Sequence, residues 1–190
     1  MKIVIVTGMS GAGKRTALKV LEDAGYYCVD NLPVELVLKF VELAMASSRQ
    51  VNIAIGVDVR VGDTFSDLTK VLERMQHRKY EYEVLFLDAD DEVLVKRYKE
   101  TRRNHPLAGD HRVIEGIQKE RELAFIKDKA DYIIDTSTLL TRDLKQELEK
   151  IFVDDENFKN LMVTILSFGF KYGIPEDADL VFDVRFLPNP

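Results

Sequence analysis

A glycine-rich stretch near the amino terminus carries the clearest chemistry in the sequence. It fits the pattern G-x-x-x-x-G-K and consists of Gly8, Met9, Ser10, Gly11, Ala12, Gly13 and Lys14. Glycines let successive backbone N–H groups turn toward one anion, and a helix that begins here adds positive potential. The lysine supplies a mobile charge for the β- and γ-phosphates of a nucleotide. The stretch therefore predicts a phosphate-binding loop.

The residue after Lys14 departs from this pattern. A Ser or Thr is expected there, because its hydroxyl ligates Mg²⁺, but the chain has Arg15 followed by Thr16. A guanidinium is always protonated and cannot coordinate a cation. Thr16 lies about 100° further around the helix and is not expected to replace the missing ligand. The loop predicts phosphate binding and leaves metal-assisted hydrolysis open.

Two aspartates end apolar segments that are typical of buried strands. Asp88 follows the apolar residues 84–87, and Asp58 follows residues 51–57 and is close to Arg60. Ligands of an open parallel sheet bind at the carboxyl ends of its strands, so we predict that Asp88 faces the loop and holds Mg²⁺ through water. Asp58 is a candidate for orienting water or contacting a nucleotide, and Arg60 for clamping phosphate. An exposed local ion pair explains Asp58 and Arg60 equally well.

The densest basic cluster of this acidic chain lies in its middle and consists of Arg97, Arg102, Arg103, His105 and Arg112. Arginines near the end of a helix are favoured by the helix dipole alone. The alternative is a lid whose arginines close over a transferring phosphoryl group. We favour the lid, with Arg102 and Arg103 as catalytic candidates, because Pro106 and Gly109 interrupt the helical pattern and could form a hinge.

Two further places in the sequence have competing interpretations, and the single cysteine has one. Asp30 and Asn31 end a predicted strand where kinases bind their acceptor, but a cap of the next helix is favoured. Residues 135–137, Asp-Thr-Ser, follow the last predicted strand, where they would either contact a purine ring or form a turn into the next helix. Cys28 lies in an apolar strand and is expected to be inert.

Turn residues divide the chain into alternating strands and helices. The predicted strands are residues 2–6, 26–29, 51–59, 82–87 and 131–135. The predicted helices are residues 16–23, 34–46, 64–76, 92–103, 113–127 and 141–152. This alternation predicts an α/β P-loop NTPase fold of the kinase-like type, with a mostly parallel central sheet and helices on both faces. Residues 1–153 would form this nucleotide-binding domain. Residues 154–190 would be a linker and a strand pair (161–167 and 180–184), at the sheet edge or leading into a further domain.

Composition excludes some classes of function. None of the 190 residues lies in an apolar run near the ~20 residues of a spanning helix, and the first strand has no features of a signal peptide. A single cysteine suits the reducing cytoplasm. The net charge of −6 disfavours a duplex nucleic-acid surface on this part of the chain.

The motifs taken together resemble one family along essentially the whole chain. They are GMSGAGK, YYCVDNLP, DVRV, LFLDAD, RRNHPL, DTS and FGFKYGIPEDADLVFDVRFLPNP. The chain resembles the RapZ (YvcJ-type) nucleotide-binding proteins, which are known in some bacteria as RNase adapter proteins. Because the family continues into a second domain, the chain looks like an N-terminal domain that ends just after FDVRFLPNP.

The resemblance implies slow, regulatory ATPase and GTPase activities with Mg²⁺. The ATP segment of the family matches residues 8–15, and its proposed guanine-nucleotide segment matches Asp58, Val59, Arg60 and Val61. A small RNA and a ribonuclease are expected as partners only through the C-terminal domain, and oligomerisation is left open. Two rival interpretations remain, namely a small-molecule kinase and a module that binds nucleotide without hydrolysing it.

Overall fold

A computed structural model describes residues 1–47, 51–58, 64–102, 104–109 and 111–153, and beyond them residues 167–169, 171, 173–174, 178 and 180–183. The chain divides into two compact units, Met1–Glu156 and Asn157–Pro190. All regular strands and helices assigned in the described residues lie in the first unit.

The first unit is built on a sheet of five parallel strands. They are β1 (Ile3–Gly8), β2 (Tyr27–Val29), β3 (Ile53–Gly56), β4 (Glu83–Asp88) and β5 (Tyr132–Asp135). Their order across the sheet is β2-β3-β1-β4-β5. In the central register, Ile5 pairs with Ile55 on one side and with Val84 on the other. The predicted parallel sheet is confirmed.

Helices connect the strands and cover the sheet. They are α1 (Lys14–Asp23), α2 (Val34–Ala46), α3 (Thr64–His77), α4 (Asp91–Thr101), α5 (Val113–Leu123), a 3₁₀ helix (Phe125–Lys129) and α6 (Thr141–Phe152). Helix α1 packs on α6, α2 on α3, and α4 on α5. Every residue of β1 and β3 is buried. Since successive side chains of a strand point to opposite faces, both faces of the sheet are covered.

The central strand β1 delivers the glycine-rich loop to the carboxyl edge of the sheet. Gly8 ends β1 with φ of +131° and lies so close to β4 that a Cβ would be 2.1 Å from the Leu87 carbonyl oxygen. Only glycine fits this turn. Because β3 and β4 flank β1, Asp58 just after β3 and Asp88 at the end of β4 lie on opposite sides of the loop strand.

Two helices end earlier than predicted. Helix α4 stops at Thr101, because Arg102 adopts a left-handed backbone with φ of +51°. The predicted helix 113–127 is two elements, since the N–H of Ala124 bonds to Arg121 and the chain tightens into the 3₁₀ helix.

Described residues of the second unit overlap one of the two strands predicted there. The strand predicted over residues 180–184 is wrong for its described residues 180–183, which have irregular backbone. Leu180 and Phe182 expose 76% and 74% of their surface. This short apolar run is therefore not buried as a half-buried strand would be. The other predicted strand, at 161–167, lies outside the described residues except for Ser167. Among the helices of the described residues, none has the length and apolar character needed to span a bilayer.

Candidate functional site

The glycine-rich loop, residues 8–14, has the backbone shape of an anion nest, and we call it the phosphate loop. Gly8, Gly11 and Gly13 all have positive φ, and α1 begins at Lys14 directly after Gly13. The first N–H groups of a helix have no partner within the helix. At α1 these donors and the helix dipole favour an anion at the carboxyl edge of the sheet.

Lys14 lies folded against its own loop. Its Nζ donates to the carbonyl oxygens of Gly8 at 2.7 Å and Met9 at 3.2 Å, and lies 3.4 Å from Asp58 Oδ1. Both side chains are largely buried, with 12% and 15% of their surface exposed. The structure therefore places the predicted residue Asp58 beside the phosphate loop.

Arg97 and Thr136 hold the outer part of the phosphate loop. The Arg97 guanidinium donates to the Gly11 carbonyl oxygen at 3.1 Å and to the Thr136 carbonyl oxygen at 2.7 Å. The Thr136 hydroxyl lies 2.9 Å from the Ala12 carbonyl oxygen and 3.0 Å from that of Asp88. In this arrangement Arg97 braces the loop from the protein side, and Thr136 joins the loop to the end of β4.

Asp88 is an ion-pair centre in this structure. Its Oδ1 accepts hydrogen bonds from the N–H of Ala89 at 2.8 Å and from Arg121 at 3.2 Å. Its Oδ2 accepts from Lys127 at 2.6 Å. Both cations come from the chain after α4, so the contacts tie α5 and the 3₁₀ helix to β4.

The donor set around the loop does not fit the predicted Mg²⁺ site at Asp88. Mg²⁺ needs oxygen ligands in near-octahedral geometry, and both Asp88 oxygens already bind cationic side chains. Arg15 occupies the position of the expected hydroxyl. Within the described ranges, no group of three or more His, Cys, Asp or Glu side chains is arranged to hold a metal. The metal role of Asp88 stays a prediction that these contacts do not favour.

Arg15 points away from the loop toward the end of β2. Its side chain is 76% exposed, and its Nε lies 3.4 Å from Asp30 Oδ2. The prediction that Asp30 or Asn31 caps α2 is wrong, because Pro33 occupies the N-cap position without a side-chain cap bond. Asn31 instead has φ of +56°, and the next N–H, of Leu32, bonds to Gly56. This turn places Asp30 next to the end of β3.

The other predicted site residues are placed elsewhere or lie outside the described residues. Arg102 is exposed at the end of α4. The predicted residues Val59, Arg60, Val61 and Arg103 lie outside the described residues. Thr16 is part of the first turn of α1 and is half-buried. The roles predicted for these residues stay predictions.

The sequence analysis missed a buried acidic residue at the loop. Glu120 in α5 is 0% exposed and accepts hydrogen bonds from Ser10 and His105. The sequence did contain a signal, because Glu120 is at helical spacing from Gly116 and Ile117. In the structure both of these residues are buried. A carboxylate on the apolar face of a helix indicates a specific partner. The partners Arg121 and Lys127 of Asp88 had no comparable signal.

Asp135 at the end of β5 and Cys28 in β2 have shifted pKa values. The hydroxyl and N–H of Ser137 donate to Asp135 and lower the pKa of that carboxyl below its usual 3.8. Burial, followed by the nearby Glu22 carboxylate, raises the pKa of the Cys28 thiol from 9.0 to about 11. The half-buried Cys28 therefore stays protonated at neutral pH, as expected of an inert thiol.

Comparisons of the sequence find close relatives along the whole chain. A family model described as the RapZ-like N-terminal domain matches residues 1–156, and one described as the RapZ C-terminal domain matches residues 161–190. A "Nucleotide-binding protein" of Agathobacter rectalis is 62% identical over 100% of this chain and 66% of its own length. Another of Lachnoclostridium phytofermentans is 58% identical over 100% of this chain and 67% of its own length. The chain thus spans about two thirds of these curated relatives.

Solved structures with the same fold are distant in sequence. A tunicamycin resistance protein of Deinococcus radiodurans has a TM-score of 0.52 at 14% identity, covering 78% of this chain and 93% of its own. A shikimate kinase of Bacteroides thetaiotaomicron has a TM-score of 0.50 at 17% identity, covering 78% and 96%. At these identities the likeness establishes a kinase-like fold and nothing about the substrate.

Proposed function

The chain belongs to the RapZ-like family, and on this premise we propose that residues 1–156 bind the phosphates of ATP or GTP and hydrolyse the nucleotide slowly. The observation that carries the proposal is the phosphate loop, whose three positive-φ glycines lead directly into the amino terminus of α1. The relatives named nucleotide-binding protein match the whole length of this chain, and their name supports the nucleotide-binding part of the proposal.

Each loop residue has a definite part in this proposal. The first-turn N–H groups of α1 hold the phosphates, and Lys14 leaves the carbonyls of Gly8 and Met9 to contact the β- and γ-phosphates. Asp58, next to Lys14, orients the attacking water. Hydrolysis is slow in this scheme because Arg15 replaces the hydroxyl that assists the metal in faster enzymes. The activity serves regulation in the cytoplasm.

The adapter role of the family is not part of this proposal for residues 1–156. Contacts with a small RNA and a ribonuclease are assigned to the C-terminal domain, whose model matches residues 161–190. The net charge of the whole chain, −6, does not favour an RNA-binding surface on residues 1–156, because RNA-binding surfaces are usually basic.

A calorimetric titration tests the proposal directly. ATP, GTP, ADP and GDP are titrated into the chain with and without Mg²⁺, and we expect saturable binding at one site per chain. Absence of binding for all four nucleotides would contradict the proposal. A strict requirement for Mg²⁺ would show that Arg15 does not prevent metal use.

Arg15→Ser separates slow hydrolysis from binding without turnover. If Arg15 limits the reaction, the variant hydrolyses ATP faster at nearly unchanged affinity. Equal turnover in both proteins would show that the step does not need the hydroxyl. Arg142→Ser, which removes the charge of an exposed arginine in α6, is the control for the loss of a surface charge.

A small-molecule kinase is the second candidate, and the position of Asp30 favours it. A Cβ on Gly56 would lie 3.1 Å from Asp30 Oδ1, so Asp30 sits beside the end of β3, on the side of the loop where Asp58 follows. A carboxylate there suits the hydroxyls of a phosphoryl acceptor. Incubation with labelled ATP and candidate sugars or nucleosides would reveal a phosphorylated product if the kinase interpretation is correct.

A further inference from the structure

The buried carboxylate of Glu120 contacts the phosphate loop, and the chemistry proposed above does not use it. Its two oxygens lie 3.1 and 3.0 Å from the N–H donor of Ser10, and its Oε1 accepts from the Ser10 hydroxyl at 2.9 Å. A fully buried carboxylate is costly unless hydrogen bonds compensate its charge. Glu120 is therefore committed to holding Ser10 at the third position of the loop.

The other side of Glu120 contacts His105. Glu120 Oε2 lies 2.9 Å from His105 Nε2, and the N–H of Leu107 donates to His105 Nδ1 at 3.2 Å. Since Nδ1 accepts a hydrogen bond, we assign the ring proton to Nε2, which donates to Glu120. His105 is 2% exposed, and its ring lies 5.1 Å from that of Tyr98.

A glycine in α5 allows the segment that begins with His105 to pack closely. A Cβ on Gly116 would lie 2.5 Å from His105 Nδ1 and 2.8 Å from the N–H nitrogen of Ala108. Gly116 and Glu120 are one helical turn apart on the same face of α5. The segment 104–109 and the phosphate loop are therefore both anchored to one turn of the same helix.

We propose that Glu120 is a positioning residue that couples the phosphate loop to segment 104–109. The coupling rests on the proposed function, because a nucleotide at the loop is what moves Ser10. When phosphates draw the loop N–H groups toward them, the Ser10 contacts to Glu120 change. The same carboxylate accepts a hydrogen bond from His105 Nε2–H, so the change alters the surroundings of the imidazole and of segment 104–109, which the imidazole holds in place. The surroundings of His105 in segment 104–109 thus differ between the free and the nucleotide-bound phosphate loop.

Imidazole nitrogen spectra of the full chain test this coupling. The chain has three histidines, and the exposed His77 in α3 serves as an internal control. His111 is not a control, because its N–H bonds to Ala108 of the same segment. ADP and a non-hydrolysable ATP analogue are added while calorimetry under the same conditions reports binding. We expect the nucleotide to shift the His105 nitrogens and to leave the His77 nitrogens unchanged.

Glu120→Gln removes the charge and keeps the shape of the side chain. Its amide oxygen can still accept from Ser10, but its NH₂ group faces His105 Nε2, so we expect the proton of His105 to move to Nδ1. Nucleotide binding should persist, and the shift of His105 on binding should be lost. Glu122→Gln, an exposed glutamate of the same helix, should behave like the original chain.

Ser10→Ala provides a second variant that leaves the Glu120–His105 pair intact, and it decides the question if Glu120→Gln does not fold. We expect it to bind nucleotide with a reduced His105 shift. An unchanged His105 shift in the folded variants would overturn the coupling, and so would nucleotide binding to the original chain without any His105 shift. Absence of binding to the original chain would instead refute the proposed function, and the coupling with it.

Discussion

The Asp58 carboxylate lies 3.4 Å from the Lys14 ammonium, although the two residues belong to different strand–helix units. The pairing of β1 with β3 brings them together, because Lys14 begins the helix after β1 and Asp58 follows β3. Lys14 is thus held by an anion and two loop carbonyls at the position where phosphates are expected. Substitutions of Lys14 and of Asp58 can therefore test separately which residue binds the phosphates and which acts in hydrolysis.

Removal of the Lys14 charge should weaken nucleotide binding. A hydrogen bond to a charged group contributes about 1.5–3 kcal/mol, so Lys14→Ala should lower ATP affinity by about 10- to 100-fold. The matched control is Lys19→Ala, an exposed lysine in the same helix α1. Calorimetric titration of both variants measures the difference. Equal affinities for the two variants would exclude Lys14 from phosphate binding.

Neutralising Asp58 should impair turnover more than binding. If Asp58 orients water, Asp58→Asn should slow hydrolysis by about 100-fold or more, while the loss of one negative charge near the phosphates does not weaken affinity. Phosphate release under saturating ATP measures the rate. Asp67→Asn, at a carboxylate of α3 whose side chain is 40% exposed, controls for the loss of a carboxylate. Unchanged phosphate release would remove Asp58 from the reaction.

Loss of the Asp88 charge should lower the free energy of unfolding. Asp88→Asn removes the buried carboxylate that pairs with Lys127 and Arg121, although Arg121 keeps Asp91 as a partner. We expect the free energy of unfolding to fall by about 1–3 kcal/mol. Urea denaturation measures this change. Asp128→Asn, at an exposed aspartate in the 3₁₀ helix next to Lys127, should have little effect. The stability argument fails if the two variants unfold at the same urea concentration.

Substitution of Arg97 should weaken the binding of nucleoside diphosphates as much as that of triphosphates. A lysine cannot reach both the Gly11 and Thr136 carbonyls as the guanidinium does, so Arg97→Lys should loosen the loop and lower affinity about tenfold. The loss should be equal for ADP and ATP, measured by calorimetry. A lid arginine that binds the transferred phosphoryl group would instead change ATP affinity alone. Arg142→Lys is the control.

The Cys28 thiol should react slowly in the folded protein. Its pKa is raised to about 11 by burial and by Glu22, which leaves about a hundredfold less thiolate at pH 7 than the ordinary value of 9.0 would give. Alkylation of this single cysteine should therefore be about a hundredfold slower in buffer than in urea. Its rate should continue to rise with pH beyond 9, since the thiol ionises only near 11. Equal rates in buffer and in urea would contradict this prediction.

The strand–helix order and the phosphate loop could be predicted because each depends on neighbouring residues. Glycines at three loop positions, a preceding buried strand and a following helix are local features, and the structure has them at the predicted place. The predicted helix 113–127 was wrong at its end for the opposite reason. Its pattern continues through Ala124, but in the folded chain the Ala124 N–H bonds to the Arg121 carbonyl and a 3₁₀ helix follows, which no neighbouring residue type signals.

The acidic residues show most clearly what could not be predicted from the sequence. Asp58 and Asp88 both end predicted strands, and nothing local distinguishes their roles. The tertiary structure places Lys14 against Asp58, while it surrounds Asp88 with Arg121 and Lys127 from a later part of the chain. The predicted cap of α2 also depended on context, because the turn at Asn31 follows the close approach to Gly56.

The sequence by itself determined the parallel α/β order, the phosphate loop and the resemblance to one family, because spacing and residue type suffice for these features. Only the tertiary structure decided which charges meet. It joined Ser10 to Glu120, 110 residues apart, and Arg97 to the loop carbonyls. Such pairs depend on how strands align and helices pack, and that alignment results from burial across the whole core rather than from any single segment.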